Sequence, residues 1–211
     1  MKYNWSNLTI NTFKKITDAF SFSEEEDERI LRAAAILNGI SYDDILEMPM
    51  RKTREMIEDT AFLYTEPTKA EPKKEYVLGN TTYVPMYKFD KMTTAQYIDY
   101  QAIADVAYEH LAEFMAIILI PKGHKYNDGY GSEDIIKEIG DNLTVEEALG
   151  LADFFVREYA KSTKRTMAYY EAMLMTQRIM TKDKDLKKVL KTTEKSMEKV
   201  RKALDSMFGS I

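Results

Sequence analysis

The chain has 211 residues and a formal net charge of −5, with 45% hydrophobic residues and no cysteine. That length buries a sizeable core without staples, and the missing thiols exclude a disulfide framework, a thiolate zinc site and a cysteine nucleophile while fitting a reducing cytoplasm. The longest apolar run, residues 114–120, falls far short of the ~18 residues that span a bilayer, and the first ten residues lack the basic-then-apolar order of a secretion leader.

Taken in chain order, the sequence predicts a helical segment from the start, with Phe13, Ile16 and Phe20 at helical spacing. Ser23 and Glu26 read as a capping box ahead of a helix over 24–38 whose buried face is Ile30, Leu31, Ala34 and Leu37. Gly39 stands where a left-handed C-cap belongs. Ser41 opens a short helix with Tyr42, Ile45 and Leu46, and Pro49 opens another with Met56 and Ile57 turned inward. Residues 1–65 are therefore expected as an N-terminal helical domain. Two prolines and six charges in EPTKAEPKKE make 66–75 a linker or loop. The period then changes: Tyr76-Val77-Leu78, Gly79-Asn80 and Thr81-Thr82-Tyr83-Val84 form a hairpin, with Tyr87-Lys88-Phe89 as a candidate third strand. Charged linker and hairpin together occupy 66–92.

A helical core domain follows over 93–180. Thr93 or Thr94 caps its first helix, which presents Tyr97, Ile98, Ile103, Val106, Ala107 and Leu111 and runs through 114–120 until Pro121 stops it. PKGHKYNDGYGS is a glycine-rich turn. Ser132 caps a short helix ended by Gly140, and Thr144 with Glu147 caps a long one reaching about Met180. Over 181–211, Leu186, Leu190, Thr193, Met197, Val200, Leu204 and Met207 recur at alternating steps of four and three, a heptad stripe. It serves either as a coiled coil with a partner helix or as an amphipathic helix docked on its own domain. This segment carries nine basic and five acidic residues, so the rest holds −9. The basic tail either meets an acidic surface or is a solvated lysine-rich face.

The predicted fold class is mainly α: helical bundles, a small β-hairpin insertion and a long C-terminal amphipathic helix. Chemistry is scarce. His110 beside Glu109 and Glu113 lacks a second matching ligand set, and the loop around His124 has neither phosphate-cradle nor calcium-loop spacing. The acidic pairs Asp43-Asp44 and Glu146-Glu147 sit where first helical turns favour negative charge. Acidic residues interrupt the basic tail, which argues against nucleic acid. The expectation is a chain with no catalytic, metal or cofactor residues. Its 13 methionines and 14 tyrosines suit interface cores. Candidate contact residues are Leu186, Leu190, Met197, Val200, Leu204 and Met207 of the stripe, Tyr76 and Tyr83 of the hairpin, and Tyr126 and Tyr130 of the turn.

FSFSEEEDERILRAAAILNGISYDDILEMPM with FLYTEP, and MTTAQYIDYQAI with IILIPKGHKYNDGYGSEDIIKEI and LTVEEALGLADFF, resemble a loosely defined family from tailed bacteriophages, notably crAss-like and other Bacteroidetes phages. The resemblance covers about residues 20–155. It implies a product of the structural gene cluster, a virion component or a tail-assembly-chaperone-like protein, with no catalytic residues to carry over. The expectation is a neck or tail component, made in the host cytoplasm and resident in the virion. It would contact copies of itself in a ring and the portal or tail proteins, with the hairpin extending a neighbour's sheet. A tail-assembly chaperone on the tape-measure protein is the alternative, and a small helical enzyme or metal protein a third.

Overall fold

The computed structural model describes residues 2–88, 91–126, 133–180 and 184–208, some positions in the last two helices by backbone alone. The architecture is mainly α with one small antiparallel sheet, as expected. It divides into two compact units, Met1–Asp153 and Phe154–Ile211.

In the first unit the chain begins with irregular backbone and a turn at residues 5–7, and its first helix starts at Ile10. Trp5 and Leu8 are buried, and Thr9 forms an antiparallel bridge with Thr144. Ile10 N–H donates to the Leu143 carbonyl (3.1 Å) and Val145 N–H to that of Leu8 (2.8 Å). Thr9 then caps α1 (Ile10–Ser21) by accepting from Thr12 N–H. α2 (Glu26–Asn38) starts later than Ser23 predicts: Glu25 is its N-cap, and the Ser23 hydroxyl donates to Glu28 (2.7 Å) and accepts from Glu25 N–H instead of closing a box with Glu26. Three acids in its first turn supply the favourable charge at the positive helix end. Gly39, at φ 66°, is the left-handed cap. The short α3 (Tyr42–Leu46) has a reciprocal Ser41–Asp44 capping box, and α4 (Met50–Glu58) follows Pro49. The Ser41 hydroxyl and N–H hold the Asp44 carboxyl below the usual carboxylate range.

Trp5 is the centre of the N-terminal core. Its ring stands edge-on to Phe62 (5.2 Å) and Phe13 (5.8 Å), and its indole N–H donates to Thr65 (3.2 Å). Leu8, Ile16, Ala33, Leu37 and Val145 complete the cluster, with Leu149 against it. The helices expected to form a domain of their own over 1–65 thus share their core with the start of the long helix α8 (Val145–Met180).

Residues 66–75 lie against α8. Ala70 N–H donates to the Glu146 carbonyl (3.0 Å), Lys69 pairs with Asp153 (3.0 Å), and Lys73 pairs with Glu147. Gly150 permits this approach: a Cβ there would overlap the Ala70 carbonyl oxygen. The hairpin forms in the expected register, β1 (Tyr76–Leu78) with β2 (Thr81–Pro85), Tyr76 opposite Tyr83. The third strand is β3 (Leu119–Pro121), paired with β2, and not the segment at Tyr87 and Lys88, which is irregular; Phe89 lies outside the described residues. The run 114–120 therefore splits between the helix α6 (Leu111–Ile118) and this strand, since an apolar run reads alike as buried helix or buried strand.

The helix expected over 93–120 is also broken. α5 (Thr94–Ile103), capped by Thr93, passes into a 3-10 turn before α6. Its buried positions are Gln96 and Tyr100, whereas Tyr97, Ile98 and Val106 face outward. Gln96 Nε2 donates to the Ile117 carbonyl (2.7 Å), which lets an amide occupy the interior. Gly140 does not end a helix. It lies inside α7 (Glu133–Asn142), where a Cβ would strike the Asn11 side chain. Asn11 donates to Asp141 (2.8 Å), closing the α1–α7 crossing. The Thr144–Glu147 capping box forms as predicted. Ser132 lies outside the described residues.

In the second unit, α8 continues to Met180 and α9 (Lys184–Phe208) covers most of the heptad-patterned segment. Phe154 and Phe155 meet edge to face at 5.6 Å.

Substituting Gly150→Ala is expected to destabilise the fold by about 1–3 kcal/mol through overpacking against Ala70. Urea unfolding should show a lower midpoint with an unchanged slope; an unchanged midpoint would show that 66–75 does not pack there.

Candidate functional site

Two surfaces of the described structure carry more apolar area than one fold needs. The first is a groove of about 370 Å³ between α2, α3 and α4, lined by Ile30, Leu31, Ile45, Leu46, Met48, Met50, Thr53 and Ile57. Its origin is local. Gly39 and Pro49 end and restart the chain within a few residues, so α3 is too short to cover both neighbours. Ala34, Ala35 and Ile45 pack at the base with Leu31, Ile40, Tyr42 and Met56 around them. Leu46 and Met50 remain 55% and 72% exposed at the rim. Asp27 is the one charged residue among those lining the groove.

The second surface is the stripe on α9. Leu190 is 8% exposed, while Leu186, Val189 and Val200 are 48%, 61% and 47% exposed. Projected at 100° per residue, Leu190 lies on one edge of the apolar arc, Val189 and Val200 lie towards the opposite edge, and Leu186 stands between them. Half of the stripe is covered and half is open. Met197 is half-buried on the covered side, and the side chains of Leu204 and Met207 lie outside the described positions. Lys202 pairs with Glu198 one turn away (2.9 Å) and holds that carboxyl below its ordinary range, so charge stays on the polar faces.

The tyrosines proposed as contacts are placed differently. Tyr76 and Tyr83 are interior. The Tyr76 hydroxyl accepts from Lys73 N–H (2.9 Å), and burial raises its pKa. Tyr83 donates to Glu138 Oε2 (2.5 Å), while Thr81 donates to Oε1 of the same carboxylate (3.1 Å). Alternation alone does not say which hairpin face is covered, and here the tyrosine face meets α7. Tyr126 donates to Asp99 (2.7 Å) and is half-buried; burial and that bond both raise its pKa. Tyr130 lies outside the described residues. Leu46, Met48, Met50 and Val189 were not among the contact residues expected from sequence. The signal was the excess of apolar residues around Pro49 and the i, i+3 spacing from Leu186 to Val189.

A further hollow of about 400 Å³ between α1 and α6 bears Lys14, Asp18, Glu109 and Glu113. Nearby, His110 Nδ1 stands 3.7 Å from Glu113. Among the described residues, no group of three His, Asp or Glu is placed to hold a metal ion. No helix among them is long and apolar enough to cross a membrane. No family model, curated protein or solved structure matches the chain.

If the groove rim is a surface and not a core, Leu46→Ser and Met50→Ser should each change stability by no more than about 0.5 kcal/mol. Ile45→Ala, at the groove base, should cost about 2–5 kcal/mol. Thermal or urea denaturation separates the two, and a large loss at Leu46 would assign it to the core.

Proposed function

We propose that this protein works by binding other proteins and not by catalysis, as a structural component of a tailed-bacteriophage particle in the neck or tail. The half-open stripe of α9 carries the reading: Leu186, Val189 and Val200 stand in water beside a buried Leu190. Long helices draw most of their stability from packing an amphipathic face, and exposed apolar stripes rimmed by charge mark binding surfaces. The groove at α2–α4 supports it as a second apolar surface, and the resemblance over residues 20–155 supplies the phage context. The partners in this reading are copies of the chain and the portal or tail proteins, and its place is the virion. β3 of the same chain occupies the second edge of β2, so in this reading any extension of a neighbour's sheet falls to an outer strand, β1 or β3.

A tail-assembly chaperone that leaves before maturation would use the same surfaces on the tape-measure protein. Quantitative mass spectrometry of purified particles separates the readings. A virion component is present at a fixed copy number per portal ring; a chaperone is found with tail precursors and absent from finished particles. Absence from both would overturn the assembly reading.

A further inference from the structure

We infer that the groove between α2, α3 and α4 receives the α9 helix of a second copy of this chain, joining copies head to tail. The inference rests on the reading of the α9 stripe as a binding surface and names its partner. Shape is the first argument. Leu186, Val189 and Thr193 fall at i, i+3 and i+7, the anchor spacing with which an amphipathic helix enters an apolar groove. The groove has room for a few aliphatic side chains and is walled by isoleucine, leucine and methionine, the last able to repack around a guest.

Charge is the second argument. Residues 24–59, which build the groove, hold eleven acidic and five basic residues, a net of −6. α9 holds eight basic and four acidic residues, a net of +4. Asp27 lies in the groove wall, and Glu24, Glu25, Glu26, Asp43 and Glu47 are exposed on α2, α3 and their approaches. Lys188 and Lys199 are exposed on the polar face of α9 that adjoins the open side of the stripe, with Lys191 and Lys195 exposed further round the helix. In a chain of overall −5, two copies would otherwise repel; this pairing sets the most basic segment against an acidic one and fixes orientation. The contact is heterologous, since a groove meets a helix. Each copy keeps one of each free, which generates rings when the rotation closes and filaments when it does not.

The test uses the full chain. Multi-angle light scattering over a concentration series should show assembly that weakens as salt rises from 50 to 500 mM. Leu46→Glu, in the groove, and Val189→Glu, on α9, should each weaken it about tenfold or more, with circular dichroism confirming that both fold; Met50→Glu replaces Leu46→Glu should that variant unfold. Mixing the groove variant with the helix variant is decisive. One retains a sound helix and the other a sound groove, so the mixture should form heterodimers that grow no further. A wild-type chain that stays monomeric throughout, variants that assemble undiminished, or a mixture that fails to pair would each overturn the inference. A monomeric chain present in purified particles would remove the self-docking and leave the virion reading standing.

Discussion

The antiparallel bridge between Thr9 and Thr144 is the constraint on which the first unit depends. Both threonines are helix caps, so one pair of residues sets where α1 and α8 begin and holds their first turns side by side. Leu8 and Val145, the neighbours whose backbones bond across the bridge, carry their side chains into the cluster around Trp5. Two long-range hydrogen bonds thereby fold the chain's ends of this unit together. α7 packs against α1 beside the same closure, and the space at Gly140 is taken by the Asn11 side chain, which a Cβ would displace.

Polar pairings, one of them buried at Gln96 and the others nearer the surface, join the remaining elements. Glu138 on α7 accepts from Tyr83 and Thr81, so the sheet is positioned by a carboxylate and not by apolar contact alone. Gln96 ties α5 to the end of α6 where helix becomes strand. Each such group costs stability if its partner is removed, and each therefore selects one arrangement over its near neighbours. The charged segment 66–75 belongs to the same scheme. Its lysines answer acids on α8, and its backbone sits where Gly150 leaves space.

Local signals were legible and long-range ones were not. The hairpin register, the Gly39 cap and the Thr144 box follow from turn chemistry and capping within a few residues. β3 was hidden because 114–120 is apolar throughout and has no period to read. The α5 face was misplaced because its interior is a glutamine and a tyrosine, polar residues made acceptable by partners distant in sequence or by ring packing such as Tyr100 on Phe114. Of the expected contact residues, the α9 stripe was found by its repeat, yet its division into a covered and an open half needed coordinates. Tyr83 faces inward because it meets Glu138 of α7, 55 residues away, and Tyr76 stands opposite Tyr83 in the hairpin.

The proposed binding role rests on the two apolar surfaces left exposed by the packing of the described residues. A groove deficient in side chains lies on one unit, a stripe with spare ones on the other, and their charges are opposite. Hydrogen exchange on the full-length chain, followed from dilute to concentrated solution, tests this most directly. Amides of α2–α4 and of α9 should gain protection together as concentration rises, while those of α7 stay unchanged; protection that is independent of concentration in both regions would contradict it.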